Sequence, residues 1–313
     1  MPDFFPTVSV IIPTHNRGSL LRRALHSVLH QSYQNIEVII VDDGSTDDTR
    51  IIVMSFQDTR VRYTRHEIKR GAAAARNTGI KLATSEFIAF QDSDDEWLCE
   101  KLEKQMELFV TAGPEVGVIY TGFIRFEDNR AFYFPAEHIQ KSGNILKSLL
   151  NGNYVTTQAV VVRRNCFEKV GLFDERLPRF QDWELFIRIA KCYDFICISQ
   201  PFLIAFHSPK SITADAQLFP IALKLVLEKH QEIFCMHPAI LARNFYSLGV
   251  AICSTGNVTE GADYFVKSLT LNPWRPMCLI RWLSTLPGAK FYRLSSKLID
   301  QASRVAAYVR PSP

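Results

Sequence analysis

Four acidic side chains, Asp92, Asp94, Asp95 and Glu96, crowd into the stretch FIAFQDSDDEWL directly behind an apolar run. Carboxylates that close raise one another's pKa unless a positive group compensates. A divalent cation is one such group. Mg²⁺-type ions take one or two carboxylates and fill the rest of their octahedron with phosphate oxygens and water. A solvated acidic turn that caps the next helix would use the same residue types. Two more polar tails stand behind apolar runs: PTHNR, from Pro13 to Arg17, follows VSVII, and DDGSTDD, from Asp42, follows IEVIIV.

The order of the elements is what would bring these tails together. TVSVIIPT, IEVIIVDD, RVRYTRH and EFIAFQD read as strands. Between them SLLRRALHSVLHQ, TDDTRIIVMSF and AAAARNTGIKLAT read as helices, the second with acidic residues in its first turn. Strands separated by helices of about 10 to 15 residues form parallel βαβ units in a doubly wound sheet. Continuous apolar runs suit strands covered on both faces. Ligands of such sheets bind outside the carboxyl ends of the strands, near the point where strand order reverses. Three polar tails converging on that edge are more than surface solvation explains.

Beyond about residue 115 come further strand-like stretches, EVGVIYTGFIRF, AVVVRR, FICISQ and FLIAFH, and one amphipathic helix, WELFIRIAKCY. From about residue 217 the pattern is helical. FYSLGVAICSTGNVTEGADYFVKSLTLNP resembles a single tetratricopeptide-type hairpin. A solenoid needs about three such repeats, so one copy is expected to pack on the preceding domain. The expected domains are residues 1–215 and 216–313. The basic tail AKFYRLSSKLIDQASRVAAYVR is read as closing the helical region, with peripheral contact to an anionic membrane as its other use.

The net charge of +4 over 313 residues is modest, and no Lys/Arg block interleaves with aromatics, which argues against nucleic acid as a partner. Seven cysteines without a Cys-x-x-Cys pair read as reduced, mostly buried thiols of a cytosolic protein. The N-terminus lacks the basic and apolar regions of a signal peptide, and no apolar run reaches about 18 residues.

Taken in order, VSVIIPTHNR, VDDGSTDDT, RGAAAARNTGIKLATSEFIAFQDSDDEW and VGLFDERLPRFQDWELFIRIA resemble the family 2 inverting glycosyltransferases, over about residues 6 to 210. The resemblance implies an α/β domain of the GT-A fold, with a mostly parallel, Rossmann-like sheet, and a small all-α region after it. It implies transfer of a sugar from a nucleotide-diphosphate donor, a UDP-sugar first of all, to a hydroxyl of a saccharide or lipid-linked acceptor. It puts Pro13, Thr14, Asn16, Arg17, Asp42, Gly71, Asp92 and Ser93 against the nucleotide. Asp42 would accept a hydrogen bond from the uracil imide, a task suited to a group that offers acceptors only. Asp94 and His207 would hold Mg²⁺ or Mn²⁺, with Asp92 facing the ribose or metal-bound water. Asp182 would be the base that takes the acceptor hydroxyl's proton, with Gln181 and Trp183 on the acceptor side. The family commonly carries Glu where this chain has Gln181, which keeps the hydrogen bonding and loses a charge. Asp43 and Ser45 are read as shaping a turn and capping a helix. Asp95 and Glu96 are read as opening the next helix, with Trp97 packed beneath, and Arg76 and Asn77 as supporting loops.

Other uses of the same motifs fit less well. A receiver-like phosphorylation domain needs an aspartate after the third strand, and RVRYTRHEIK has none. An EF-hand needs Gly where Trp97 stands. A nucleotidyltransferase opens on a Gly-rich basic loop that PTHNRGS does not supply. A catalytically inactive nucleotide-sugar-binding or scaffold protein, working through its tetratricopeptide-like region, is the remaining alternative, and the presence of Asp92, Asp94 and Asp182 speaks for the enzyme. The expected location is the cytoplasm or the inner face of its membrane.

Overall fold

The run VSVIIPT forms strand β1 (Val8–Thr14), which is buried at every position. Then come α1 (Gly18–Leu29), β2 (Ile36–Asp42), α2 (Thr49–Met54), β3 (Val61–Arg65), α3 (Ala72–Leu82) and β4 (Phe87–Phe90). β3, β2, β1 and β4 lie side by side in that order, all parallel. The chain builds outward from β1 to β3 and then returns to add β4 on the other flank. The loops after β1 and β4 therefore meet where strand order reverses, the place such sheets bind ligands. α1 turns Leu21, Ala24, Leu25 and Val28 to the core at helical spacing. α3 lies so close to β1 that a Cβ on Gly79 would stand 2.4 Å from the Ile11 side chain. That contact seats α3, and with it Arg76 one turn earlier.

The next elements are β5 (Glu96–Trp97), α4 (Lys101–Thr111), β6 (Val116–Glu127), β7 (Arg130–Phe134), α5 (Leu146–Leu150), β8 (Val160–Arg163), α6 (Arg164–Val170), α7 (Gln181–Ala190) and β9 (Asp194–Phe206). β8 joins β4 antiparallel, β6 is antiparallel to β8, β9 runs parallel to β6, and β5 closes the row antiparallel to β9. β7 pairs with β6 off this path. The sheet is thus parallel in its first half and mixed in its second. FICISQ and FLIAFH, two strands by pattern, form one: β9 runs through Pro201, and the irregularity is absorbed as register shifts around Gly122 of β6. Glu96 and Trp97 do not open a helix but pair with Ile204 and Leu203 of β9. The Trp97 ring is buried, donates to the Gln158 carbonyl at 2.9 Å, and has the Lys101 ammonium 4.0 Å from its centroid. α2 starts only at Thr49, so its first turn holds no acid. Asp47 precedes it and accepts the N–H groups of Thr49 and Gly18, at 3.1 and 3.2 Å, tying α2 to α1.

The computed structural model describes residues 6–127, 130–136, 139–206 and 215–309. The chain divides into two units, Met1–Ser211 and Ile212–Pro313. Among its described residues the second has helices as its only regular elements: α8 (Leu218–Lys229), α9 (Gln231–Cys235), α10 (Pro238–Ser254), α11 (Val258–Leu271), α12 (Pro276–Thr285) and α13 (Ala289–Val309). α10 and α11 form a hairpin about the Gly-Asn turn. Asn257 caps α11 by accepting the Glu260 N–H at 3.3 Å, while its own amide donates to the Glu260 carboxylate at 2.8 Å. Cys253, Val258, Phe265, Cys278 and Tyr292 form a core cluster of these helices. The seven cysteines are free, but only Cys166, Cys253 and Cys278 are buried; Cys99, Cys192 and Cys235 are exposed, so the expectation of mostly buried thiols fails. Among the described residues no helix is long and apolar enough to cross a membrane.

Candidate active site

The tails of β1, β2 and β4 are tied to one another by side-chain bonds. After β1, whose last residues Pro13 and Thr14 are buried, the chain turns at Asn16, left-handed with φ 50°, a conformation Asn tolerates. The Asn16 N–H donates to Ser45 Oγ at 2.8 Å, and its Oδ1 accepts the Thr46 N–H at 2.7 Å. Arg17 then pairs with Asp94 at 2.8 Å. The Thr14 hydroxyl is buried and has no hydrogen-bond partner among the described residues.

The β2 tail is fastened to the start of α3. Buried Asp43 accepts the N–H groups of Arg70 and Gly71, at 2.8 and 2.7 Å, and meets His66 Nδ1 at 2.8 Å. Gly71 has φ +99° with open space where a Cβ would stand, so backbone conformation and not crowding calls for glycine. Asp43 and Ser45 therefore bridge loops instead of capping α2. Asp42 is buried, and its two oxygens accept the Ser45 N–H at 2.7 Å and the Tyr63 hydroxyl at 2.5 Å. Burial, then Asp42, pushes the Tyr63 hydroxyl up, so it remains a donor. Each Asp42 oxygen keeps a second lone pair.

In the β4 tail Asp92 pairs with Arg76 at 2.7 Å. Burial, then Asp92, raises the Asp94 carboxyl above the ordinary range, and Arg17 offsets only part of this. Asp95 is buried next to Ser93 and held well above the usual range by burial, then by Asp92 and Asp94. It opens no helix: its Oδ1 accepts the N–H of Phe206, the last residue of β9, at 3.0 Å. Arg23 lies 3.7 Å over the Phe206 ring and donates to the Asp94 carbonyl.

Among the described residues no three His, Cys, Asp or Glu side chains group as a metal cage. The donor chemistry nonetheless fits a Mg²⁺-type ion, which needs only one or two protein carboxylates when diphosphate and water supply the rest. Asp92 lies close enough to Asp94 to raise its carboxyl, second to burial, and the Arg17 ion pair at 2.8 Å offsets part of the rise. His207, the other expected ligand, lies outside the described residues.

The remaining carboxylate comes from α7. Phe180 precedes that helix in the left-handed region, φ 66° and ψ 23°, which costs a bulky residue about 1–2 kcal/mol. Its ring packs edge-on against Trp183 with centroids 5.3 Å apart, which holds the turn. The turn sets Gln181 and Asp182 at the helix start. Asp182 accepts the Trp183 N–H at 2.8 Å and the Asn153 amide at 2.9 Å. The Asp182 side chain is half-buried, and the protein packed around it desolvates the carboxylate and raises its pKa; these two bonds and Arg76 pull the other way, and Asp92 adds to the rise. Gln181 donates to the Leu177 carbonyl at 2.9 Å and accepts from Arg76 at 3.4 Å. Arg76 thus joins Asp92 to the start of α7. Trp183, expected on the acceptor side, is buried with its indole N–H on the Leu149 carbonyl at 2.6 Å. It packs beneath the site instead of facing an acceptor. Asn77 supports the loop before α7, bonding the Phe173 carbonyl and N–H at 2.9 and 3.0 Å.

Asn153, Asp95 and the pairing of Arg76 take parts that the sequence motifs do not assign. For Arg76 a signal exists: one long cation inside AAAARN, a stretch too small and apolar to be a solvated helix face. For Asn153, 29 residues from its partner in a stretch without periodicity, there is none.

The family model described as Glycosyl transferase family 2 matches residues 9–171, just over half of the chain, from β1 to the end of α6. The chain belongs to glycosyltransferase family 2. Asp182 lies beyond that match. This family 2 chain is 44% identical over 110 residues to WfgD of Escherichia coli, a UDP-Glc:alpha-D-GlcNAc-diphosphoundecaprenol beta-1,3-glucosyltransferase, covering 35% of the chain and 43% of WfgD. It is 32% identical over 203 residues to AmsB of Erwinia amylovora, an amylovoran biosynthesis glycosyltransferase, covering 62% of the chain and 67% of AmsB. The chain spans less than half of WfgD and 28–61% of the length of three uncharacterised Rickettsia relatives. S. aureus TarS 1-349 in complex with UDP-GlcNAc matches with a TM-score of 0.68 at 18% identity, over 97% of this chain and 93% of that one, a likeness of fold. The mixed α/β domain is of the GT-A type.

Proposed function

We propose that this family 2 chain is an inverting, divalent-metal-dependent glycosyltransferase that moves a sugar from a UDP-type donor to a hydroxyl of a saccharide or lipid-linked acceptor. The observation that carries this proposal is Asp182: a carboxylate raised by burial, fixed by Asn153 and the Trp183 N–H, and linked through Gln181 and Arg76 to Asp92. The UDP-sugars in the names of WfgD and of the TarS complex support the donor, and the diphosphoundecaprenol in the name of WfgD supports a lipid-linked acceptor.

A hydroxyl is a poor nucleophile at neutral pH. In the proposed reaction Asp182 takes its proton as the new C–O bond forms at the anomeric carbon, on the face opposite the departing diphosphate. A raised carboxyl is the better base for this, because its pKa lies nearer the working pH. Arg17 and Arg76 hold Asp94 and Asp92 in place and bring fixed positive charge to the side where the diphosphate departs. Asp94, beside Asp92, is the proposed seat for Mg²⁺ or Mn²⁺; when bound, the cation supplies charge stabilisation for the leaving nucleoside diphosphate. The base and ribose lie against Pro13, Thr14, Asn16 and Arg17, with Gly71 and Ser93 alongside. The unused lone pairs of Asp42 accept the uracil imide N–H.

Melting curves with UDP, GDP and dTDP, each with and without Mn²⁺, test this. Ligand at about 100 times its Kd stabilises by about 2.7 kcal/mol. The expected result is a clear rise in Tm with UDP plus Mn²⁺ and smaller rises otherwise. No rise with any nucleotide under either condition would overturn the nucleotide-donor proposal.

A further inference from the structure

Helix α12 buries Cys278 in the helical core and packs Trp282 against it, yet the rest of its inward side is polar. Arg281 is buried and bonds the hydroxyls of Tyr246 and Tyr292, at 3.2 and 3.4 Å. Ser284 and Thr285 are buried with their hydroxyls on carbonyls one turn back, at 2.7 and 2.6 Å. Leu279, Ile280 and Leu283 point the other way, 43–47% exposed. On α13 Phe291, Leu294 and Leu298 recur three and four residues apart, 51–69% exposed, while Tyr292 turns to the core. Such spacing puts the three on one stripe. Trp274, just before α12, is 92% exposed. Single exposed leucines need no explanation, but a helix that buries its arginine and shows its leucines does.

Charge indicates what covers this face. Between Asp263 and Asp300 no acidic residue occurs, and the charged groups are Lys267, Arg275, Arg281, Lys290, Arg293 and Lys297. Lys290, Arg293 and Lys297 are exposed and, again three and four apart, flank the apolar stripe of α13. A second copy of the chain would set one basic face against another. A surface that is apolar below and anionic above complements both features, as with helices that lie in a bilayer interface. We propose that α12 and α13 dock this chain on an anionic lipid bilayer. The leucines and Phe291 enter the boundary between headgroups and acyl chains, and Lys290, Arg293 and Lys297 meet lipid phosphates. The proposal goes beyond sugar transfer and does not rest on it.

Co-sedimentation of the full chain with vesicles, of phosphatidylcholine alone or with phosphatidylglycerol added, tests the proposal without nucleotide or acceptor. Binding is expected only to the anionic vesicles and should weaken as salt rises. Ile280→Ser with Leu283→Ser should lower the partition coefficient at least about tenfold. Lys290→Gln, Arg293→Gln and Lys297→Gln together should lower it roughly a hundredfold at low salt. All five positions are exposed, so the Tm should hold; if a variant unfolds, the lipid and salt dependence of the unaltered chain decides. Failure of that chain to bind anionic vesicles, or equal binding to both compositions, would overturn the proposal. So would a concentration-dependent dimer in sedimentation velocity that the Ile280/Leu283 change abolishes, because it would assign the face to a second copy.

Discussion

Asp182→Asn replaces one oxygen of the proposed base, and the structure limits how much else should change. The new side chain keeps an oxygen to accept the Trp183 N–H. Its amide would meet the Asn153 amide donor to donor, a conflict removed when Asn153 turns its amide over and offers its oxygen. The charge removed is one that burial already disfavours, so its loss relieves desolvation. The fold should therefore stay within about 0.5 kcal/mol, or 1–2 °C in Tm. General-base help is worth about 10²–10⁴ in rate, so turnover should fall by that factor, about 3–5 kcal/mol on the barrier. UDP affinity, measured by titration calorimetry, should stay within about twofold. The acid limb of the pH–rate profile gives an independent check. The base acts only when deprotonated, so rate is lost as pH falls through its pKa. Because burial raises that pKa, the loss should begin above the pH at which an ordinary aspartate, near about 3.9, would give it. The variant should lack this limb. A loss of UDP affinity in step with the rate, or a rate drop under tenfold, would refute the assignment.

Asp94→Asn should leave a UDP-induced rise in Tm but remove its dependence on Mn²⁺; an unchanged metal dependence would mean the cation is held elsewhere. Asp95→Asn keeps an oxygen for the Phe206 N–H and removes a charge raised in the fold by burial and two neighbouring carboxylates, so it should stabilise the chain at pH 7 by about 0.5–2 kcal/mol. The sign is set by linkage: a carboxyl raised on folding destabilises above its unfolded pKa, so the gain should vanish as acid protonates Asp95 in the unaltered chain. A lower melting point for the variant at pH 7 would contradict this. Arg76→Met leaves Asp92 without its ion-pair partner at 26% side-chain exposure. Breaking a fully buried pair costs about 3–5 kcal/mol, and the remaining hydration should reduce that to roughly 1–3 kcal/mol. Because Arg76 lowers the Asp182 pKa, its removal should also move the acid limb to higher pH, and an unmoved limb would deny the coupling.

The strands that build the site were legible because burial on both sides makes a strand almost wholly apolar, as β1 and β2 are apart from Ser9, Glu37 and their polar ends. The polar tails were legible because parallel strands must end at one edge. Bond partners were not, since Asp43 is read by Arg70 and Gly71, and Asn16 by Ser45 and Thr46, at separations that periodicity cannot reach. By pattern β9 reads as two strands, since Pro201 donates no ladder bond, yet a register shift against β6 absorbs the defect. α12 shows the limit most clearly. Its spacing yields a polar side and an apolar side, but nothing in a period says which turns inward. The usual rule sends leucine in and arginine out. Here Tyr246 and Tyr292, 35 and 11 residues from Arg281, supply hydroxyl partners that let the guanidinium be buried. With those partners in place, the burial of Arg281 follows from hydrogen-bond satisfaction, and the leucines left outside form the face proposed to meet the bilayer.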